Sequence, residues 1–273
     1  MSEAQANSGI QTWRENVDWD AYSNVWGRLN HSFLTQTLQR LPVFNRPDPV
    51  IHVPGIGPAK ELSQLCVMYP NARYITSDIT ATAIENVLAN HKSFDLIPRF
   101  LIEDAEHPAV EETDLCVNLF MLHLVKDPPA TLEALWNTLR PGGWMVSLYF
   151  PPVPTGDGPL AGFFWAVSDI LAGKVKPNWE QIALPWLMSR ASRLTSSAIY
   201  SQWTFSSQDE FRDALELLPS IQNLRNTLGS DKYEAVWKRW QHEPGLYPDQ
   251  SKGWHGAATA RFLLAQKPGD GKL

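Results

Sequence analysis

The stretch Val50-Ile51-His52-Val53-Pro54-Gly55-Ile56-Gly57-Pro58-Ala59 decides the fold. An apolar run that leads into a Gly-x-Gly turn and then a helical pattern is typical of a nucleotide-binding α/β unit. A second apolar run, residues 72–77, ends at Asp78, 21 residues after Gly57. Glycines let a backbone approach a ligand closely, and an acid at the tip of the next strand can hold two ribose hydroxyls. The glycine turn and Asp78 together predict an enzyme that uses a nucleoside-containing cofactor.

The glycine turn departs from two common nucleotide-binding motifs. A dinucleotide turn needs a third small residue three positions after the second glycine, because helix and strand pack closely there, and Lys60 occupies that position. No Gly-Lys-Ser/Thr sequence follows, which excludes a Walker P-loop. Taken alone, the turn also fits a tight strand-to-helix connection that binds no ligand.

Strand-like and helix-like segments alternate along the middle of the chain. Strands are predicted at about 50–53, 72–77, 98–102, 114–119 and 144–150. This alternation predicts an α/β fold with a Rossmann-like, doubly wound, mostly parallel sheet. The predicted organisation is an N-terminal helical cap or lid at 1–47 and a main domain at 48–273, with a helical insertion at about 151–205 and an antiparallel last strand at 257–266.

The composition is that of an ordinary folded protein, with 44% hydrophobic and 19% charged residues. A net charge of −6 argues against a nucleic-acid surface, and no apolar run reaches the roughly 18 residues of a membrane span. The N-terminus lacks a signal-peptide pattern, and Cys66 and Cys116 lack metal-ligand spacing. We therefore expect a cytoplasmic protein without a metal site, whose partners are a small-molecule substrate and a second copy of the chain.

Five motifs follow one another in a characteristic order. They are Pro54–Ala59, Ser77–Thr80, Glu103–Glu106, Asn118–His123 and Leu139–Trp144. In this order they resemble the motif series of class I S-adenosylmethionine-dependent methyltransferases, and more narrowly the small-molecule enzymes of microbial, especially fungal, secondary metabolism. The resemblance covers about residues 48–150. It implies S-adenosylmethionine as cofactor, S-adenosylhomocysteine as product, and in-line methyl transfer to an oxygen, nitrogen or sulfur of a small metabolite.

The resemblance also implies a role for individual residues. The implied cofactor-binding residues are Tyr22, Pro54, Gly55, Gly57, Asp78, Ile79, Asp104, Ala105, Asn118 and Leu119. Among them, Asp78 would accept the ribose hydroxyls, Asp104 the adenine amino group, and Tyr22 would close over the cofactor. One position departs from the family: Val53 stands two residues before the first glycine, where the family usually carries an acid that helps hold the ammonium group.

His123 is the candidate general base. It follows the fourth predicted strand, where the cleft of a parallel sheet opens, and an unperturbed pKa near 6.5 suits proton removal. The alternative is a structural histidine before Asp127. His31, Phe164 and Trp165 are candidate substrate-binding residues in flanking regions that are rich in tryptophan. These aromatic side chains predict a pocket for an apolar or aromatic acceptor, unless they only fill a core.

Two other functions fit the same residues. The fold could retain its cofactor pocket but catalyse a cyclisation or isomerisation in the aromatic cavity. Alternatively, the chain could be a non-catalytic, methyltransferase-like subunit that has lost its cofactor. Binding of S-adenosylmethionine would separate the last alternative from the other two.

Overall fold

The computed structural model describes residues 17–44, 46–90, 98–110, 112–152, 158–171, 178–251 and 253–269. The strands are β1 Val50–Pro54, β2 Arg73–Asp78, β3 Arg99–Ile102, β4 Thr113–Leu119, β5 Leu139–Tyr149, β6 Arg193–Phe205, β7 Tyr247–Asp249 and β8 Gly253–Gln266. The helices are α1 Trp19–Leu38, α2 Lys60–Met68, α3 Ala81–Asn90, α4 Pro128–Asn137, α5 Pro159–Ile170, α6 Glu180–Met188, α7 Gln208–Glu216, α8 Pro219–Leu228 and α9 Ser230–Trp240.

All eight strands belong to one sheet, in the order β3-β2-β1-β4-β5-β8-β6 with β7 paired to β8. The neighbours from β3 through β5 are parallel, whereas β8 runs antiparallel to β5. The predicted Rossmann-like, mostly parallel sheet with an antiparallel last strand is therefore confirmed. Because the strand order reverses between β1 and β4, a crevice opens at the carboxyl ends of these two strands.

The central strands are buried throughout because both faces of the sheet are covered. Every residue of β1 and of β4 is buried, while β3 at the edge of the sheet has no buried residue. This burial is what a parallel α/β sheet requires, and it explains why the sequence pattern of β1 and β4 was strong. No helix in the described part of the chain is both long and apolar enough to cross a bilayer.

The predicted helical insertion at about 151–205 is wrong in its last quarter. Helices α5 and α6 lie there as expected, but residues 193–205 form the 13-residue strand β6. The second half of β6 alternates, with Ile199, Trp203 and Phe205 buried and Tyr200 exposed. That period of two is the pattern of a strand, although the buried Ser201 interrupts its apolar side. Strand β5 also begins earlier than predicted, at Leu139.

The chain divides into two compact units. One, called here the sheet unit, comprises 33–152, 178–199 and 260–273, and the other, the aromatic unit, comprises 1–32, 153–177 and 200–259. The sheet unit contains β1 to β5 and every candidate cofactor position except Tyr22. The boundary that the sequence suggested near residue 47 stays a prediction.

Tryptophan and phenylalanine side chains form the core of the aromatic unit. Trp203 packs edge-on against Trp26 with ring centroids 5.5 Å apart, and its indole nitrogen donates to the Leu29 carbonyl at 3.1 Å. Phe211 stacks on Trp240 at 5.0 Å. These four rings are almost completely buried. Many of the aromatic residues in the flanking regions therefore stabilise a core rather than line a pocket.

Candidate functional site

The glycine turn folds tightly at the carboxyl end of β1. Gly55, Gly57 and Ala59 have φ angles of 65°, 46° and 54°, in the left-handed region. The Ile56 N–H donates to the Ser77 carbonyl at 3.0 Å, which attaches the turn to the end of β2. Helix α2 begins immediately after Ala59, so its first turn lies at the same edge of the sheet.

Gly55 is in direct contact with the segment that follows β4. A Cβ atom placed on Gly55 would lie 2.7 Å from both Cγ and Sδ of Met121, which is far inside van der Waals contact. Met121 is itself buried in the core of the sheet unit. Only glycine therefore fits this position without displacing the end of β4, and the turn closes one side of the crevice.

Asp78 lies at the tip of β2, as the sequence predicted, and fixes the glycine turn. One carboxylate oxygen accepts the Gly57 N–H at 3.1 Å and the other accepts the Thr80 N–H at 2.9 Å. A carboxylate offers about four lone-pair directions, so two N–H donors do not by themselves exhaust what Asp78 can accept. The neighbouring Ile79 is 37% exposed, which is unusual for an apolar side chain beside a buried acid. This arrangement fits a ribose on Asp78 with a base on Ile79.

Asp104 comes close to Asp78 through the pairing of β2 and β3. Asp78 pairs with Ile102, and the Glu103 N–H donates to the Asp78 carbonyl at 3.0 Å. The Asp104 carboxylate accepts the Glu106 N–H at 3.0 Å, which holds the side chain in a local turn. Ala105 is buried in the same core as Met121. The structure thus brings the two predicted acids to one edge.

A buried polar network lies directly beneath these two acids. The His52 Nε2 atom is 3.1 Å from Ser77 Oγ and 3.5 Å from Glu103 Oε1. Burial raises the pKa of Glu103, but hydrogen bonds from His52, the Ala109 N–H and Ser77 outweigh it and leave that pKa below its usual range. Ser77 and Glu103 immediately precede Asp78 and Asp104. The network therefore positions both acids, a role that the sequence analysis did not assign to His52.

Two residues beside the glycine turn are unexpected. Val53 stands where an acid is usual, and Glu61 is an acid that is buried. Val53 is fully buried in β1 opposite Thr76, so the position that the resemblance reserves for an acid is apolar and closed. Glu61, in the first turn of α2, is only 7% exposed. Burial raises the pKa of Glu61 to about 7, against a smaller opposite effect of its own backbone N–H. The sequence analysis missed this residue.

Asn118 lies near the carboxyl end of β4, and its role beside the cofactor stays a prediction. Its side chain is fully buried and donates to Ser147 Oγ at 2.8 Å, across the β4–β5 pairing. Leu119 is also buried. The following residue, Phe120, has a φ of 55°, and its N–H donates to the Leu148 carbonyl at 2.6 Å. Such a backbone is uncommon for a bulky residue and often marks a functional site.

Aromatic rings surround His123 at the ends of β4 and β5. Phe120 and Phe150 lie 5.1 Å apart between ring centroids, and Phe33 packs edge-on against both at 6.0 and 6.2 Å. His123 packs edge-on against Phe150 at 5.4 Å. The sequence analysis did not assign Phe33, Phe120 or Phe150 to the site. The signal was present in the two phenylalanines that directly follow β4 and β5.

The remaining candidate residues lie in the aromatic unit. Tyr22 packs against Trp19 with centroids 5.7 Å apart, His31 is exposed, and Phe164 packs against Phe163 at 5.6 Å. Trp165 is 51% exposed and lines a cavity of about 580 Å³. Their roles stay predictions. Within the described ranges, no group of three or more His, Cys, Asp or Glu residues is arranged to hold a metal ion.

Comparison with known proteins agrees with this geometry. Residues 53–147 match a family model described as a methyltransferase domain. A putative methyltransferase from Bacillus halodurans superimposes with a TM-score of 0.58 at 12% identity, covering 87% of this chain and 99% of that one. Phosphoethanolamine N-methyltransferase 2 from Haemonchus contortus, crystallised with S-adenosylmethionine, superimposes with a TM-score of 0.60 at 16% identity. The match covers 95% of this chain and 60% of that one.

A third similar structure has a different chemistry. The [4+2]-cyclase SpnF superimposes with a TM-score of 0.52 at 13% identity, covering 87% of this chain and 81% of that one. No curated protein matches the sequence. At these identities the likenesses show the fold, which is that of class I S-adenosylmethionine-dependent methyltransferases.

Proposed function

We propose that this chain, whose residues 53–147 carry a methyltransferase domain, binds S-adenosylmethionine and transfers its methyl group to a small apolar or aromatic metabolite. One observation carries the proposal. The Asp78 carboxylate, at the tip of β2, accepts the Gly57 N–H of the glycine turn at 3.1 Å. The glycine turn and the ribose-binding acid are thus built as one unit.

Residues at the carboxyl end of the parallel strands could bind each part of the cofactor. Gly55 and Pro54 would line the methionine side, and Asp78 would accept the two ribose hydroxyls in charge-assisted hydrogen bonds. The exposed face of Ile79 offers an apolar surface for adenine, and Asp104 would accept from the adenine amino group. When bound, S-adenosylmethionine supplies an electrophilic methyl carbon on a cationic sulfur.

The aromatic rings at the ends of β4 and β5 support an apolar or aromatic acceptor. Phe120 and Phe150, which are half-buried, form an apolar wall that rests on the fully buried Phe33, and such a wall would orient a flat molecule and exclude water. His123 adjoins this wall and would take the proton if the attacking group is a hydroxyl. Orientation of the acceptor against the wall would supply much of the acceleration.

Binding and transfer are tested separately. Titration calorimetry with S-adenosylmethionine and S-adenosylhomocysteine should show binding of both by the full chain. An assay with a labelled methyl group, run across small phenols, amines and thiols, should then find an acceptor. Absence of binding of either compound would refute the proposal. For an acceptor hydroxyl, His123→Ala should remove the ascending limb of the pH–rate profile, and an unchanged profile would exclude His123 as the base.

A cyclisation or isomerisation is the second candidate function. The structural likeness to the [4+2]-cyclase SpnF favours it, together with the aromatic wall, which could hold a folded polyene. The two candidates differ in what happens to the cofactor. A cyclase would convert its substrate without consuming S-adenosylmethionine, whereas a methyltransferase would form one S-adenosylhomocysteine per product.

A further inference from the structure

Glu61 is a buried acid for which no described residue offers a counter-charge. It is 7% exposed, and the hydrogen bond that affects its carboxyl comes from its own backbone N–H. No ion pair or side-chain hydrogen bond from another described residue reaches it. The preceding residue, Lys60, is exposed to solvent. Buried acids are almost always paired, because an isolated carboxylate in an apolar environment is strongly disfavoured.

The position of Glu61 in α2 places it beside the glycine turn. The buried residues of this helix are Glu61, Leu62 and Leu65, which form the side that packs onto the sheet. Glu61 is the first of them and follows Gly57 by four residues, at the carboxyl end of β1. Because helical side chains tilt toward the N-terminus of the helix, its carboxyl leans toward the turn. The acid therefore lies in the first turn of α2, beside the glycine turn that follows the carboxyl end of β1.

A cation beside the glycine turn would complete the site. An opposite charge within about 4–6 Å favours the ionised form of a buried carboxyl and offsets the cost of its burial. The proposed cofactor carries such a charge in the ammonium group of its methionine part. The glycine turn would line the methionine part of the cofactor. Two residues before the turn, β1 carries the apolar Val53 where an acid could have bound the ammonium group.

We propose that Glu61 binds the ammonium group of S-adenosylmethionine from the start of α2, in place of an acid in β1. This inference rests on the proposed function, since it names the residue that recognises the amino-acid end of the same cofactor. It makes Glu61 a binding residue that selects for the complete methionine part rather than for adenosine alone.

A series of truncated ligands tests the assignment. Affinities are measured by calorimetry at pH 8 for S-adenosylhomocysteine, for its deaminated analogue, which keeps the carboxylate, and for 5′-methylthioadenosine, which lacks both groups. Glu61→Gln should lower the affinity for S-adenosylhomocysteine about tenfold or more. The same substitution should leave the affinities for the other two ligands within about twofold.

Two further variants serve as controls. Glu61→Met has a similar volume and no charge, so it should show the same selective loss while thermal unfolding confirms that it is folded. Glu85→Gln removes an exposed acid from α3 and should change none of the affinities.

Three results would overturn the inference. The first is an unchanged affinity of Glu61→Gln for S-adenosylhomocysteine. The second is an equal loss for all three ligands, which would mean that Glu61 only shapes the crevice. The third is an equal loss for the two ligands that carry the carboxylate. If the unaltered chain binds none of the three ligands, the proposed function fails and this inference fails with it.

Discussion

The strand ends of the sheet unit and the core of the aromatic unit use their unusual residues in opposite ways. At the strand ends, the buried Asp78 holds two backbone N–H groups at the edge of a crevice, and the buried His52 contacts the side chains of Ser77 and Glu103. In the aromatic unit, side chains that suggested a pocket are buried against one another, as with Phe211 on Trp240. The polar residues serve a site, and most of the aromatic ones serve stability.

This difference shows that position in the fold carries more functional information than residue type. An acid at the carboxyl end of a parallel strand has few structural reasons to be there, because burial of its charge is costly. A tryptophan has an obvious structural use wherever a core needs volume. The following four predictions test the comparison, in order of decreasing effect.

Truncation of a core aromatic should give the largest loss of stability. Trp203→Ala removes a fully buried indole together with its hydrogen bond to Leu29, and we expect the free energy of unfolding to fall by about 3–5 kcal/mol. Trp165→Ala removes a half-exposed ring of the same unit and should cost less than about 1 kcal/mol. Urea unfolding of both variants measures the contrast. Equal losses would show that the two tryptophans do not divide into core and surface.

Loss of the strand-end acid should instead reduce ligand binding. Asp78→Ala removes the acceptor for the ribose and for the Gly57 N–H, so we expect the affinity for S-adenosylhomocysteine to fall about 100-fold, or roughly 3 kcal/mol. Asp78→Asn keeps the shape of the side chain, so its affinity for S-adenosylhomocysteine should fall less. Asp213→Asn, at an exposed position on α7, is the matched control and should bind normally. Calorimetry that finds full affinity in Asp78→Ala would place the ribose elsewhere.

The buried Glu61 should make the ligand-free protein less stable as the pH rises. Its pKa is near 7 in the folded state and lower when unfolded, so the folded state holds the extra proton between about pH 4.5 and 7. Ionisation of Glu61 therefore does not reduce the free energy of unfolding at low pH. Above pH 7 it reduces that free energy by about 2–3 kcal/mol. Glu61→Gln should abolish that part of the pH dependence. The prediction would be contradicted if the free energy of unfolding changed by the same amount between pH 5 and pH 8 in the unaltered chain and in Glu61→Gln.

Two glycines with similar backbone angles should tolerate alanine differently. Gly55 and Gly142 have φ angles of 65° and 78°, but a Cβ would strike Met121 only at Gly55 and would meet nothing within 4 Å at Gly142. We expect Gly142→Ala to cost about 1 kcal/mol from its backbone angle alone. Gly55→Ala should cost about 2 kcal/mol and should also weaken cofactor binding. Thermal unfolding measures the difference, and equal costs would mean that Met121 moves aside freely.

The parallel core could be predicted because its sequence signals are strong and local. β1 and β4 are buried on both faces, so they appear as mainly apolar segments with a few polar residues, and Asp78 stands out at the end of β2. Strand β6 was missed because residues before Ile199 do not alternate in burial and a buried serine interrupts the rest. Its existence depends on pairing with other strands of the sheet, which is not a local property.

Candidate site residues were recognisable from the sequence where a residue type and a strand end coincide, and not elsewhere. Glu61 looked like an ordinary acid in the first turn of a helix, where a solvated negative charge is favourable. Phe150 looked like the last residue of a strand, and only the turn of Phe120 brings the two rings together. His52 gave no signal because its partners, Ser77 and Glu103, come from other strands.

The antiparallel pairing of β8 with β5 has a practical consequence for handling the protein. Gln266 pairs with Trp144 near the start of β5, and the Lys267 N–H donates to the Gly143 carbonyl at 2.8 Å. Since β5 runs parallel to β4, residues 267–269 leave the sheet at the edge opposite the crevice. A tag attached beyond residue 269 would therefore tether the chain to a sensor surface by that edge and leave the strand tips open to solution.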